Sequence, residues 1–86
     1  MKEEFAIIKQ VFRLCVWLQT KTKLNTTFEF NGKSDNIKLN VYAGDKNIID
    51  FVLHSISKKS EERITIELKL IVTQLIELKN DKHFKE

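Results

Sequence analysis

Two histidines, one cysteine and a Gly-Lys-Ser tripeptide are the places where this 86-residue sequence could do chemistry. His54 follows Asp50 by four residues on one side of an alternating stretch, so an Asp-His pair could serve as a base for a nucleophile. No Ser or Cys is placed to be that nucleophile, because Cys15 lies in an apolar run whose side chains face a core. His83 belongs to a polar tail, residues 80–86, that should fray. Two histidines and one cysteine at these spacings match no metal-ligand pattern. Asn31-Gly32-Lys33-Ser34 contains the phosphate-loop tripeptide but lacks the preceding Gly and the following helix, and it reads as turn chemistry. The expectation is a non-enzymatic protein with no catalytic residues, metal or cofactor.

The elements that hold these residues are organised around a hairpin at about residues 26–42. Phe28 and Phe30 alternate with Thr27 and Glu29, and Ile37, Leu39 and Val41 alternate with Lys38, Asn40 and Tyr42. A period of two marks strands with one face to bury. Residues 31–36, rich in Asn, Gly, Ser and Asp, make the loop between them. Pairing the apolar faces puts Phe30 beside Ile37 and Phe28 beside Leu39, and sets Glu29 opposite Lys38 as a favourable charge pair.

Upstream, at about residues 2–23, Ile7, Ile8, Val11, Leu14, Cys15 and Leu18 fall in one arc of a helical wheel. Ala6, Gln10, Arg13 and Trp17 lie on its other side. Trp17 there either folds against a neighbouring loop or anchors a contact, a role for which Trp is favoured. Downstream, residues 60–80 open on Ser60 as N-cap, continue with two acids and close on basic residues, and Ile64, Leu68, Ile71, Leu75 and Leu78 repeat at helical intervals. Ile66 and Leu70 fall on a second side of this helix.

The ambiguous segment is residues 47–56, after the Ala43–Lys46 turn. As a helix it would use Asp45 as N-cap; as a strand it places Ile49, Phe51 and Leu53 on one face. A third strand widens a hairpin that is marginal alone. A register that sets Ile49 and Phe51 beside Leu39 and Ile37 also brings Asp50 opposite Lys38. The fold class is therefore α+β, a three-stranded antiparallel meander with both helices on one face (α-β-β-β-α), and the alternative is α-β-β-α-α.

Length allows one domain, burying roughly 60–65% of its unfolded surface. With 42% hydrophobic and 31% charged residues, two Gly and no Pro, the chain is too apolar for disorder. The net charge of +3 comes from scattered lysines, a weak nucleic-acid signal. A single cysteine cannot build a disulfide framework and fits a reducing cytoplasm. Residues 5–18 are interrupted by Lys9, Gln10 and Arg13, so neither export nor a membrane span is expected. The Asn25-Thr26-Thr27 sequon reads as chance.

The pattern Phe28-x-Phe30-x-Gly32, then Ile37-x-Leu39-x-Val41-Tyr42 and Gly44, resembles a hairpin of small uncharacterised proteins from phages and prophages of Gram-positive bacteria. The resemblance covers about a fifth of the chain and implies a helix, a meander and a final helix. No functional residues carry over from it. The Lys, Asn and Ile excess resembles the product of an AT-rich genome.

These readings converge on an interaction module of a phage or mobile element that binds a host protein, such as a nuclease complex of a defence system, in the manner of an anti-CRISPR protein. The alternative is nucleic-acid binding on the open sheet face, centred on Tyr42, Lys38 and His54. Two helices occupy roughly 20 Å across, while three strands span only about 10 Å between outer axes. The helices should therefore overhang the sheet, and a homodimer through Trp17, Ile66 or Leu70 is expected to bury the overhanging flanks.

Overall fold

The structure is a computed structural model that describes the backbone of residues 2–84 and the side chains from Ala6 to Phe84. Helix α1 (Lys2–Lys21) is followed by strands β1 (Leu24–Asn31), β2 (Asn36–Ala43) and β3 (Lys46–Leu53), then helix α2 (Glu61–Asn80), with short 3-10 turns at Ile56–Lys58 and Lys82–Phe84. The sheet order is β1-β2-β3 with antiparallel neighbours. This is the α-β-β-β-α meander that strand alternation indicated, and residues 46–53 are strand.

Both helices lie on one face of the sheet, where Ile7, Val11, Leu14, Leu18, Leu68, Ile71 and Leu75 close over Ile37, Leu39, Val41, Ile49 and Leu53, all buried. The chain reverses four times between α1 and α2, at each junction of helix and strand and at the two hairpin turns, so the helices run in the same direction, and Trp17 near the end of α1 meets Lys79 near the end of α2. Burying one leucine or valine side chain contributes about 1.5–3 kcal/mol, and nine of the large apolar side chains here are fully enclosed.

Thr22 splices α1 to β1. Its hydroxyl donates to the Leu18 carbonyl, one of the acceptors a helix end leaves unpaired, and accepts the Leu24 N–H at 3.0 Å. Buried Leu24 then starts β1 two residues before the visible alternation. At the head of α2 the Ser60 hydroxyl accepts the Arg63 N–H at 3.1 Å, and Glu61 and Glu62 occupy the first turn, as a helix N-terminus favours.

The β1/β2 register is Phe28 opposite Leu39, Glu29 opposite Lys38 and Phe30 opposite Ile37. The expected β3 register is corrected by two residues. Ile49 pairs with Val41, Phe51 with Leu39 and Leu53 with Ile37, so Val52 faces Lys38 and Asp50 faces Asn40. The tight turn decides the start: Ala43 pairs with Lys46, and Gly44 takes φ 61, which glycine adopts without strain. Continued without a break, that pairing would turn Asp50 and Val52 inward. A bulge at Val41/Tyr42 absorbs Ile48 and restores Ile49, Phe51 and Leu53 to the core side. The charge ladder thus stops at Glu29 and Lys38.

Two further expectations fail. Phe30 was to lie under the helices, yet it is 67% exposed, because it sits on the outer strand beyond their cover. The tail does not fray at residue 80: Phe84 packs against the core and its carbonyl accepts the Lys23 N–H at 2.9 Å. Residues 85 and 86, also assigned to that tail, lie outside the described residues.

Candidate interaction site

The backbone of β1 defines the site. Leu24 and Thr26 turn their N–H groups away from β2, to Thr22 Oγ1 and, at 2.8 Å, to Gln19 Oε1. Outward and inward bonding alternate along an antiparallel strand, so Phe28 and Phe30 also direct N–H and C=O groups to the free side of the sheet. Gln19 shields the first half of this edge, since its Nε2 also donates to Asn25 Oδ1 at 3.2 Å. The half from Phe28 to Asn31 has no such cover among the described residues.

Above the open half stands the flank of α1. Phe12 is 55% exposed and Val16 45%. They are four residues apart, hence stacked on one side of the helix, and the Phe12 ring lies 6.5 Å from that of Phe28, tilted by 42°. Between helix flank and strand edge lies a groove of about 240 Å³ whose walls include Phe12, Val16, Thr26 and Phe28. Cys15 also lines it, but burial pushes its thiol up to about 11, so at neutral pH it is protonated and a poor nucleophile. Exposed Lys9 and Arg13, each three residues before one of the apolar pair, run along the solvent side of the same flank.

The residues singled out from sequence do not gather at one place. Trp17 is half-buried against the core, with Lys79 Nζ 5.2 Å from its ring centroid, so it joins the two helices within the chain. Ile66 (47% exposed) and Leu70 (62%) stand on the side of α2 opposite its buried stripe. They are bordered there by Glu62, Arg63, Thr73 and Glu77.

On the open sheet face Lys38 is exposed, Tyr42 is half-buried opposite Asn47, and His54 is exposed just past the end of β3. Asp50 and His54 share that face, yet four residues of strand hold them about 13 Å apart. The Asp-His pair therefore does not form. Among the described residues no three His, Cys, Asp or Glu side chains are grouped to hold a metal ion, and no helix is long and apolar enough to cross a membrane.

No protein-family model matches the chain, no curated protein matches it, and no solved structure matches it.

Phe12, Val16, Phe28 and Phe30 form the site, and none of them was a candidate contact residue from sequence. The available signal was the spacing of Phe12 and Val16, an i,i+4 pair just outside the arc of Ile7, Val11 and Leu18. Trp17 was the candidate on α1 instead, because it is a tryptophan lying outside the apolar arc.

Proposed function

We propose that this chain is a non-enzymatic protein-interaction module. The observation that carries this reading is the juxtaposition of an unpaired strand edge at Phe28 and Phe30 with the exposed apolar flank of Phe12 and Val16. Exposed apolar clusters of this kind mark contact surfaces. A host protein as partner, for instance a component of a defence nuclease, is supported by the hairpin's resemblance to phage proteins. A reducing cytoplasm is supported by the lone buried thiol of Cys15.

The open sheet face favours nucleic acid less. Its one aromatic side chain is Tyr42, and Glu29 and Asp50 place carboxylates where phosphates would lie. A second contact, self-association, is favoured by the exposure of Ile66 and Leu70. Those two residues cover little more than one helical turn, against the roughly 800 Å² per partner of a standard interface, so such a homodimer is loose and concentration-dependent.

The test is capture from host extract, with and without prior nuclease digestion, by the wild-type chain and by Phe12→Glu. A protein retained by the first and lost by the second supports the reading. Recovery of nucleic acid alone, with affinity falling steeply as salt rises, overturns it.

A further inference from the structure

The open half of β1 has the dimensions of a seat for one more strand. Three strands span about 10 Å between outer axes and four span about 14 Å, at about 4.8 Å per step. Two helices side by side cover about 20 Å. The uncovered flank of α1, Phe12 and Val16, is the part of the helix layer that three strands leave without a floor. A strand placed beside Phe28 and Phe30 would pair with their outward N–H and C=O groups and come to lie beneath that flank, its helix-side residues meeting Phe12 and reaching the groove at its Phe28 end.

We infer that this seat takes a single extended segment of another protein, added as a fourth strand at the open half of β1. The inference rests on the reading of the chain as an interaction module and names how its partner is held. Backbone pairing supplies affinity, and side chains at every second position supply selectivity, as in other cases of strand addition. The partner's helix-side positions are apolar where they meet Phe12, Val16 and Phe28. Beside Lys9 and Arg13 they are acidic, because two cations border the flank.

A second copy of this chain does not fit the seat. Pairing β1 with itself so that Phe28 and Phe30 exchange backbone bonds puts Glu29 opposite its own copy, in the closely spaced pair where like charges are most unfavourable. It would also bring four helices, about 40 Å across, over six strands spanning about 24 Å. The two α1 flanks would contend for the same space. A lone strand carries no helix of its own and meets neither obstacle.

The probe is a displayed library of random dodecapeptides selected on the full chain, followed by titration of the enriched peptides as soluble synthetic molecules. The expected sequences alternate apolar and polar residues and carry acidic residues on the apolar side of the pattern. Their binding should slow exchange of the Phe28 and Phe30 amides, weaken about tenfold or more in Phe12→Glu, the size of one lost anchor, and persist in Leu70→Glu. Peptides without alternation, or binding that is lost in Leu70→Glu and kept in Phe12→Glu, overturn the fourth-strand inference while leaving an interaction module. A selection that enriches no peptide, in a chain that retains only nucleic acid, overturns both. A β1-paired homodimer, seen as protection of Phe28 and Phe30 that grows with protein concentration alone, overturns the choice of occupant.

Discussion

Gln19 Oε1 accepts the Thr26 N–H at 2.8 Å, and two residues further along β1 the equivalent N–H of Phe28 has no such acceptor among the described residues. One side chain of α1 thus divides an edge strand into a closed half and an open half. Edge strands are ordinarily blunted against unwanted pairing, and here the blunting stops where the aromatic residues begin. Replacing Gln19 with Ala should speed exchange of the Thr26 amide and cost about 0.5–1.5 kcal/mol, the net value of an ordinary hydrogen bond. Denaturant titration and amide exchange on the same variant check both figures.

Trp17 and Lys79 test whether the tryptophan is packing or contact surface. Trp17→Ala should destabilise by about 2 kcal/mol, below the 3–5 kcal/mol of a fully buried ring. Lys79→Gln should cost about 1 kcal/mol, as for a half-buried cation over a ring. Chemical denaturation of the two variants and their double mutant reads the coupling. Partner capture should survive Lys79→Gln, because the pair faces inward.

How much was legible from residues alone follows from the distance over which each determinant acts. The hairpin register was legible because Phe28, Phe30, Ile37 and Leu39 alternate in phase, and the Ser60 cap was legible because its chemistry is local. The β3 register was not. It is a compromise between the Gly44 turn and the inward apolar set, and the bulge that reconciles them leaves no local residue signature. The site was hidden for a related reason: whether Phe30 is core or surface depends on how far α1 extends over β1, which is a tertiary quantity. Phe84 was hidden within a tail that is polar apart from it.

Asp35 should make stability depend on acid. It sits at φ 56 in the β1/β2 loop, and its carboxylate accepts the Ser57 hydroxyl at 2.6 Å and the Ser57 N–H at 3.0 Å. Its carbonyl accepts the Ile56 N–H at 3.2 Å. The Ser57 side-chain and backbone hydrogen bonds, with Lys58 nearby, hold the carboxyl below its ordinary value. A depressed folded-state pKa stabilises the fold above the unfolded value and loses that contribution as pH falls through the folded one. Asp35→Asn should therefore melt at a lower temperature than wild type at pH 7, and the gap should narrow below about pH 4. Thermal melts of both proteins across that range are the check.

Leu70→Glu and Phe12→Glu should both fold with stability within about 0.5 kcal/mol of wild type, as exposed substitutions usually do. Their effects on assembly should differ. Sedimentation at rising concentration should show the wild type and Phe12→Glu associating loosely, and Leu70→Glu remaining monomeric. Unfolding of Leu70→Glu would place that side chain in the core instead.

The most direct measurement is residue-by-residue amide exchange along β1, on the free chain at low concentration and again with the captured partner. In the free chain Thr27 and Glu29, bonded to β2, should be protected, Thr26 should be protected by Gln19, and Phe28 and Phe30 should exchange freely. With partner bound, Phe28 and Phe30 should become protected while the exposed amides of the hairpin loop do not change. Protection of Phe28 and Phe30 already present in the dilute free chain, or free exchange of both in the complex, would contradict the account.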